Sequence, residues 1–433
     1  MDKITRYLIL ILIIVVFVIL APLIVLYVSG TSFDFDDKIS GETGILDVQS
    51  DPTDAEVYLN GEKIDNTPTT ERFVERGTYS VEVKMDGYYT WQKNLFIESG
   101  QVTYAGALGD RIKLLAKSEP NQVDTQITAV AQRDNQLIYV KSDGTAVIFD
   151  SNNNKVIKEQ KLAQQISKLK DVVNSNYLLA NSSRNENFLL NTNSLELLSL
   201  PTEIKTAASI EVSNDNIIFA KVAEKLLAYD LESKQLYTAL DKDVLGFTLN
   251  NNMLYVASKT SNKTVQTYYW DEQTLIPQSI LISQELPKAK NYQLFLTNHK
   301  ELFLLADQNL FRVNQQLDLI NDQVTYVNLN RYRSQLTFGT RTEIFYYNFI
   351  SNQAELFYRT TEQVNFAIVS PELGYGFIAT DQKLTAIEID NRNGQNTYTL
   401  IDSGGISELM LSYDETNLTI IHNNNLFALL VNK

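Results

Sequence analysis

The residues of this chain that could do chemistry are few and poorly placed for it. There is no cysteine in 433 residues, so thiol nucleophiles, thiolate zinc sites and disulfides are all excluded. Only two histidines occur, 123 positions apart: His299 in Thr297-Asn298-His299-Lys300, and His422 just before Asn423-Asn424-Asn425. Both lie in turn-like stretches and offer neither a metal pair nor a triad. Asp402-Ser403-Gly404-Gly405 lacks the Gly-x-Ser-x-Gly elbow and reads as a turn between repeats. Gly374-Tyr375-Gly376 lacks a third glycine and sits inside a strand unit, so it is not a phosphate loop. Calcium loops of the D-x-[DN]-x-[DN]-G type are absent. Carboxylates are plentiful, 52 Asp and Glu, but nothing in the sequence positions two of them as a glycosidase pair. The expectation is no catalytic residue, no cofactor and no metal.

The elements that would have to position any site begin with an apolar run, Tyr7 to Val28, of 22 residues without a charge. It includes Leu8, Val15, Phe17 and Pro22. As a helix it rises about 33 Å, enough for a bilayer core of about 30 Å. Lys3 and Arg6 precede it and Asp34, Asp36 and Asp37 follow it, which puts residues 1–6 in the cytoplasm and the bulk outside. A cleaved signal peptide is the competing reading, but its apolar core would be shorter and Val28-Ser29-Gly30 is a poor cleavage site. The expectation is a single-pass signal anchor in the cell membrane, with the lipid bilayer as partner through residues 7–28 and extracytoplasmic domains beyond. Residues 29–43 read as a polar spacer.

A net charge of -15 argues against nucleic acid as a partner. With 23 Tyr and 19 Phe the remainder suits an all-β protein.

From Ile45 the apolar period becomes two. Ala55 to Leu59 runs into Asn60-Gly61, the strongest short hairpin signal. Tyr79 to Met85 closes at Asp86-Gly87, and Thr90 to Ile97 closes at Ser99-Gly100. Val102 to Ala105 adds one more strand. Pro52-Thr53-Asp54-Ala55, Val57-Tyr58-Leu59-Asn60-Gly61, Asn66-Thr67-Pro68, Gly77 before an alternating strand, and Gly87-Tyr88 follow in order. In these residues the segment 44–105 resembles the PEGA domain family. Two family glycines are replaced, by Asp54 and Asn66, residue types that tolerate left-handed backbone. The resemblance implies a small β-sandwich-like module of envelope proteins and no catalysis. Tyr88, Tyr89 and Trp91 read either as a binding patch or as cover for a small core.

From Gln126 a loose repeat sets in. Its strong middle strands start at Gln136, Asn176, Asn216, Met253, Glu301, Gln335, Gly374 and Asn417, spaced by 40, 40, 37, 48, 34, 39 and 43 residues. A period near 40 with four strands per unit marks a β-propeller. Several following strands end at Asp or Asn (Asp150, Asp230, Asp271, Asn348, Asp390), where the chain should turn on an Asx side chain. Eight blades over 106–433 are expected, with seven as the alternative because 281–324 is irregular. The last unit holds only three strands, and Ile112–Ala116, within 111–117, is the expected closing strand.

The sequence therefore reads as a membrane anchor, a PEGA-like module and a seven- or eight-bladed β-propeller. The expected role is non-enzymatic: to bind or scaffold a peptide, polysaccharide or partner protein of the cell envelope. The alternative is a propeller-based glycan-processing hydrolase or lyase, which three or more converging carboxylates with an aromatic would favour.

Overall fold

The structure is a computed structural model. It describes every residue except 1, 2, 29–31, 35–37, 41, 42, 152, 173, 174, 261–263, 272, 299, 331–334 and 433. His299 thus lies outside the described residues, as does much of the expected spacer. The chain forms two compact units. One comprises residues 1–118 with 387–398 and 432–433, and the other comprises 119–386 and 399–431.

In the first unit, the apolar run falls in a 26-residue α-helix, Lys3–Val28. The helix contains Tyr7, Leu8, Pro22 and Val28, whose side chains are outside the described set, and Val15 and Phe17, which are exposed at 48% and 69%. The side chains described there are 9–21 and 24, and counted over the described residues alone no helix is long and apolar enough to cross a membrane. The module that follows holds two main sheets. One is ordered Val102–Tyr104, Thr43–Val48, Thr69–Glu75; the other is ordered Glu62–Asn66, Glu56–Leu59, Gly77–Lys84, Trp91–Ile97. Alternation builds the core between them. In Trp91–Ile97, Trp91, Lys93, Leu95 and Ile97 are buried while the residues between are exposed. Leu46, Val48, Val57, Val81 and Val83 belong to the same cluster.

Residues 121–430 form a ring of eight four-stranded sheets among the described residues. The eight expected middle strands are the second strands of these sheets, for instance Gln136–Lys141, Ile217–Val222 and Asn417–His422. The seams between sheets are hydrophobic. Ile138 and Val140 of the first sheet meet Leu178 and Ala180 of the second, and the ring closes where Tyr139 and Val147 of the first meet Ile421 and Leu426 of the eighth. Outer strands such as Lys155–Lys161 are polar and exposed, and Thr274–Ile282 carries Pro277, which suits unpaired edges. The Asx turns form as expected: Asp230 Oδ1 accepts the Glu232 and Ser233 amides at 2.8 and 3.2 Å, and Asn348 Oδ1 those of Ile350 and Ser351.

One expectation is overturned. The closing strand is not Ile112–Ala116 but Asn121–Asp124, which pairs antiparallel with Asn425–Leu430. Ile112–Lys113 instead pairs in parallel with Ser50–Asp51 in the first unit, and Ile112 and Leu114 enter that unit's core. The reason lies in what each position requires. The closing strand is the outermost of its sheet and buries little, so a polar segment in which only Val123 packs inward suffices. The apolar run serves the module, whose core takes in Ile112 and Leu114 beside Trp91 and Ile97.

Candidate functional site

Each first strand of the ring lies at one edge of its sheet. First strands meet each other across seams, as Ile127–Arg133 meets Ile166–Asp171 and Val364–Ser370 meets Ile406–Leu411. They therefore form the inner ring. Their charges are few. Three carboxylates, Asp171, Glu211 and Glu408, and three cations, Arg133, Lys168 and Lys170, lie on the eight first strands. All six belong to sheets eight, one, two and three, an unbroken arc. The first strands of sheets four to seven carry no charge and offer Gln293, Tyr326, Asn328 and Asn365 instead.

Within the charged arc each carboxylate has its own cation. The Arg133 fork binds Asp171 Oδ1 from Nε at 3.0 Å and also from Nη2, and it donates to the carbonyls of Val172 at 3.1 Å, Ser175 at 2.5 Å and Tyr177 at 3.1 Å. Lys170 Nζ lies 3.5 Å from Glu211 Oε1 across the next seam. Burial pushes the Glu408 carboxyl up to about 7, and the charge of Lys168 works against that rise. Burial also holds Lys221, on a second strand of the arc, below its ordinary value. In the neutral arc, burial raises the Tyr326 hydroxyl, which has no hydrogen-bond partner among the described residues. Among the described residues no group of three His, Asp or Glu could hold a metal ion.

The structure brings together one nucleophile and base that sequence reasoning kept apart. Ser403 Oγ lies 3.2 Å from His422 Nε2. That nitrogen also lies 2.9 Å from the Gly404 carbonyl oxygen. Asn423 Nδ2 lies 3.1 Å from the same nitrogen, so three groups share it and Ser403 is not its sole partner. Among the described residues no carboxylate bonds the ring, so the pair lacks the third group that would orient it. Gly374-Tyr375-Gly376 likewise serves packing: Gly374 takes φ 77°, and a Cβ on Gly376 would meet the Phe357 ring at 2.4 Å.

In the first unit the motif residues build turns and core. Pro52 O accepts Ser50 Oγ at 2.6 Å, and Thr67 Oγ1 meets Ser50 Oγ at 2.6 Å and the Ala55 amide at 3.0 Å. Ala55 and Thr67 are buried, and Pro68 follows a cis bond. Asn60 and Gly61 have φ 50° and 86°, as their hairpin turn requires, and Gly87 has φ 80°. Gly77 opens its strand, and Tyr88 packs on the core beside its bridge to Ala116. Asp54 takes the left-handed backbone expected of it, with φ 69°. Asn66 does not: it ends an extended strand, and its Nδ2 bonds Asp54 Oδ1 at 2.9 Å. The aromatics Tyr89 and Trp91 are engaged within the unit. Tyr89 stacks on Tyr398 at 4.6 Å, and Trp91 Nε1 donates to Glu388 Oε1 at 2.7 Å.

Residues 43–106 match the PEGA domain model. Among solved structures, the chain resembles the C-terminal WD40 domain of Sif2, at 12% identity and a TM-score of 0.51, covering 73% of this chain and 99% of that one. It also resembles the computationally designed Ika8 protein, at 13% identity and a TM-score of 0.50, covering 71% and 96%. Identities this low show the fold alone, and the fold is the β-propeller. No curated protein sequence matches the chain.

Proposed function

We propose that this protein is a non-enzymatic, membrane-anchored binding or scaffolding protein of the cell envelope. In this reading residues 7–28 cross the bilayer, the N-terminus is cytoplasmic, and the PEGA-like module and propeller stand outside. The ligand is a peptide, polysaccharide or partner protein held at the inner ring. Support for the anchor comes from the exposed apolar side chains of Ile9 to Leu20, which line every face of their helix. Support for binding over catalysis comes from one observation: Asp171 and Glu211 are each ion-paired, with Arg133 and Lys170, and Glu408 feels the charge of Lys168. Hydrolysis of a glycoside needs two carboxyl groups working together across the scissile bond. A ring with matched charges on one arc and amides on the other suits polar recognition without bond cleavage.

The test uses the full chain in sealed vesicles. External protease should digest the propeller and spare the N-terminal tail; digestion of the tail overturns the orientation. Solubilised envelope proteins and purified wall polysaccharide should bind the wild type, and Lys168→Glu should bind them at least about tenfold more weakly. Equal retention by both forms removes the inner ring from the reading. The alternative, a glycan-processing hydrolase or lyase, rests on the raised Glu408 carboxyl, which resembles a general acid. Release of shortened sugars, abolished by Glu408→Gln, would replace binding with that activity.

A further inference from the structure

The module's strand Trp91–Ile97 turns a lysine inward, between Trp91 and Leu95. The Lys93 side chain is 1% exposed. A buried ammonium is tolerated only where oxygens replace its water. Here they come from residues 388–394 of the same unit. Lys93 Nζ lies 2.6 Å from the Asp390 carbonyl, 2.9 Å from that of Gly394 and 3.1 Å from that of Arg392. Two carboxylates complete the shell, Glu388 Oε2 at 3.1 Å and Asp390 Oδ2 at 3.7 Å.

That shell is richer than an ammonium group can use. An ammonium donates three hydrogen bonds, and five oxygens converge on this one. Carbonyls from every second residue of a short loop, joined by carboxylates, are the donor set of a hard cation. The loop is shaped for it: Asn393 and Gly394 take φ 52° and 93°, which curls the backbone so that its carbonyls point inward. Its outside is pinned separately. Arg392 bonds Asp390 and donates to the carbonyls of Tyr104 at 3.2 Å and Ala105 at 2.7 Å, and Asn393 Nδ2 bonds the Asn94 carbonyl. Burial works to raise the Asp390 carboxyl, but Arg392 and Lys93 outweigh it and hold it below its ordinary value.

We propose that loop 390–394 is a cation cradle whose resident ion is the tethered ammonium of Lys93, and that removing this side chain opens a site for a free hard cation. The lysine is then the device that makes residues 387–398 part of the first unit. The loop can order only when strand Trp91–Ile97 is in place, and the strand can bury Lys93 only when the loop has been made. The two segments are about 300 positions apart, so the unit is complete only after nearly the whole chain exists.

The experiment is limited trypsin digestion of the full chain, reading cleavage after Arg392 in the cradle itself, with calcium chloride as the probe. Wild type should resist, with or without calcium. Lys93→Ala should be cut about a hundredfold faster, because two carboxylates and three carbonyls are left without their ion. Calcium should slow that cleavage by about tenfold in the variant alone. Glu388→Gln, which keeps the lysine and removes one charge, should be cut about tenfold faster than wild type and guards against a variant that fails to fold. Protection of Lys93→Ala equal to wild type, failure of calcium to restore it, or an unchanged Glu388→Gln would each overturn the proposal.

Discussion

Two arcs of one ring solve the same packing problem differently. Between sheets one and two, the buried cluster is built from Ala129, Ala131, Ile138, Val140, Leu178 and Ala180 with their neighbours, and only Phe188 is aromatic. Small side chains let the first strands approach until Thr128 Oγ1 reaches the Ile166 carbonyl at 2.8 Å, and Arg133 then ties the seam by its fork to Asp171. Between sheets five and six, Phe295, Phe303, Phe338 and Tyr347 dominate the buried cluster, and Phe303 meets Tyr347 edge to face at 5.0 Å. Close approach favours directional polar ties; bulky rings favour area and dispersion. The charged arc also holds every inner-strand charge, so the two halves differ in what they can recognise. Charge gives one half orientation, and amides and aromatics give the other half adaptable contact.

The comparison breaks first at its aromatic seam. Phe303→Ala should cost about 4 kcal/mol, since the ring is fully buried and the three other buried aromatics of the cluster cannot collapse into its place. Urea denaturation of the full chain measures it, and a cost near that of an exposed site would mean that this seam is not held by its rings. Arg133→Met comes next, at about 3 kcal/mol, because Asp171 and three carbonyls lose their donor while the aliphatic packing remains. A loss below about 1 kcal/mol would show that small-residue packing alone holds the charged seam.

The repeat was legible because it is made of local signals. Eight strong apolar strands at nearly even spacing, and third strands ending on Asp or Asn, need no knowledge of distant partners. The module was legible for the same reason: Asn60-Gly61 and Gly87 need positive φ wherever they occur. What escaped was set by closure. The apolar segment Ile112–Ala116 looked like a better ring strand than Asn121–Asp124, and only the demand of the module's own core explains its place. In Ile166–Asp171 the alternation puts Lys168 and Lys170 on one face, which reads as solvent until sheets eight and three bring Glu408 and Glu211 near. Lys93 gave a visible warning, a charge in the inward row of its strand, but its partners lie about 300 positions away. The Ser403–His422 contact had no local signal at all.

The smallest expected effect tests the charged arc through Glu408. The Glu408 carboxyl sits near 7 in the folded chain, against an ordinary value of 4.5. The native state therefore binds a proton that the unfolded chain releases, so this residue's contribution is most favourable below about pH 4.5 and is lost as pH rises through about 7. A shift of that size is worth about 3 kcal/mol at most, and the carboxyl's residual contact with solvent brings the expectation to about 2 kcal/mol. Other carboxylates, such as Asp124 and Asp390, are held low and run the opposite way, so the total profile hides this term. The difference between wild type and Glu408→Gln isolates it. Urea midpoints should favour the glutamine variant at about pH 8 and bring the two together at about pH 5. Lys168→Met should widen the gap at high pH, because the carboxylate then stands buried without its opposing charge. A constant difference across that range would mean that Glu408 is solvated like any surface acid, and the charged arc would lose the member that distinguishes it from an ordinary ion-paired rim.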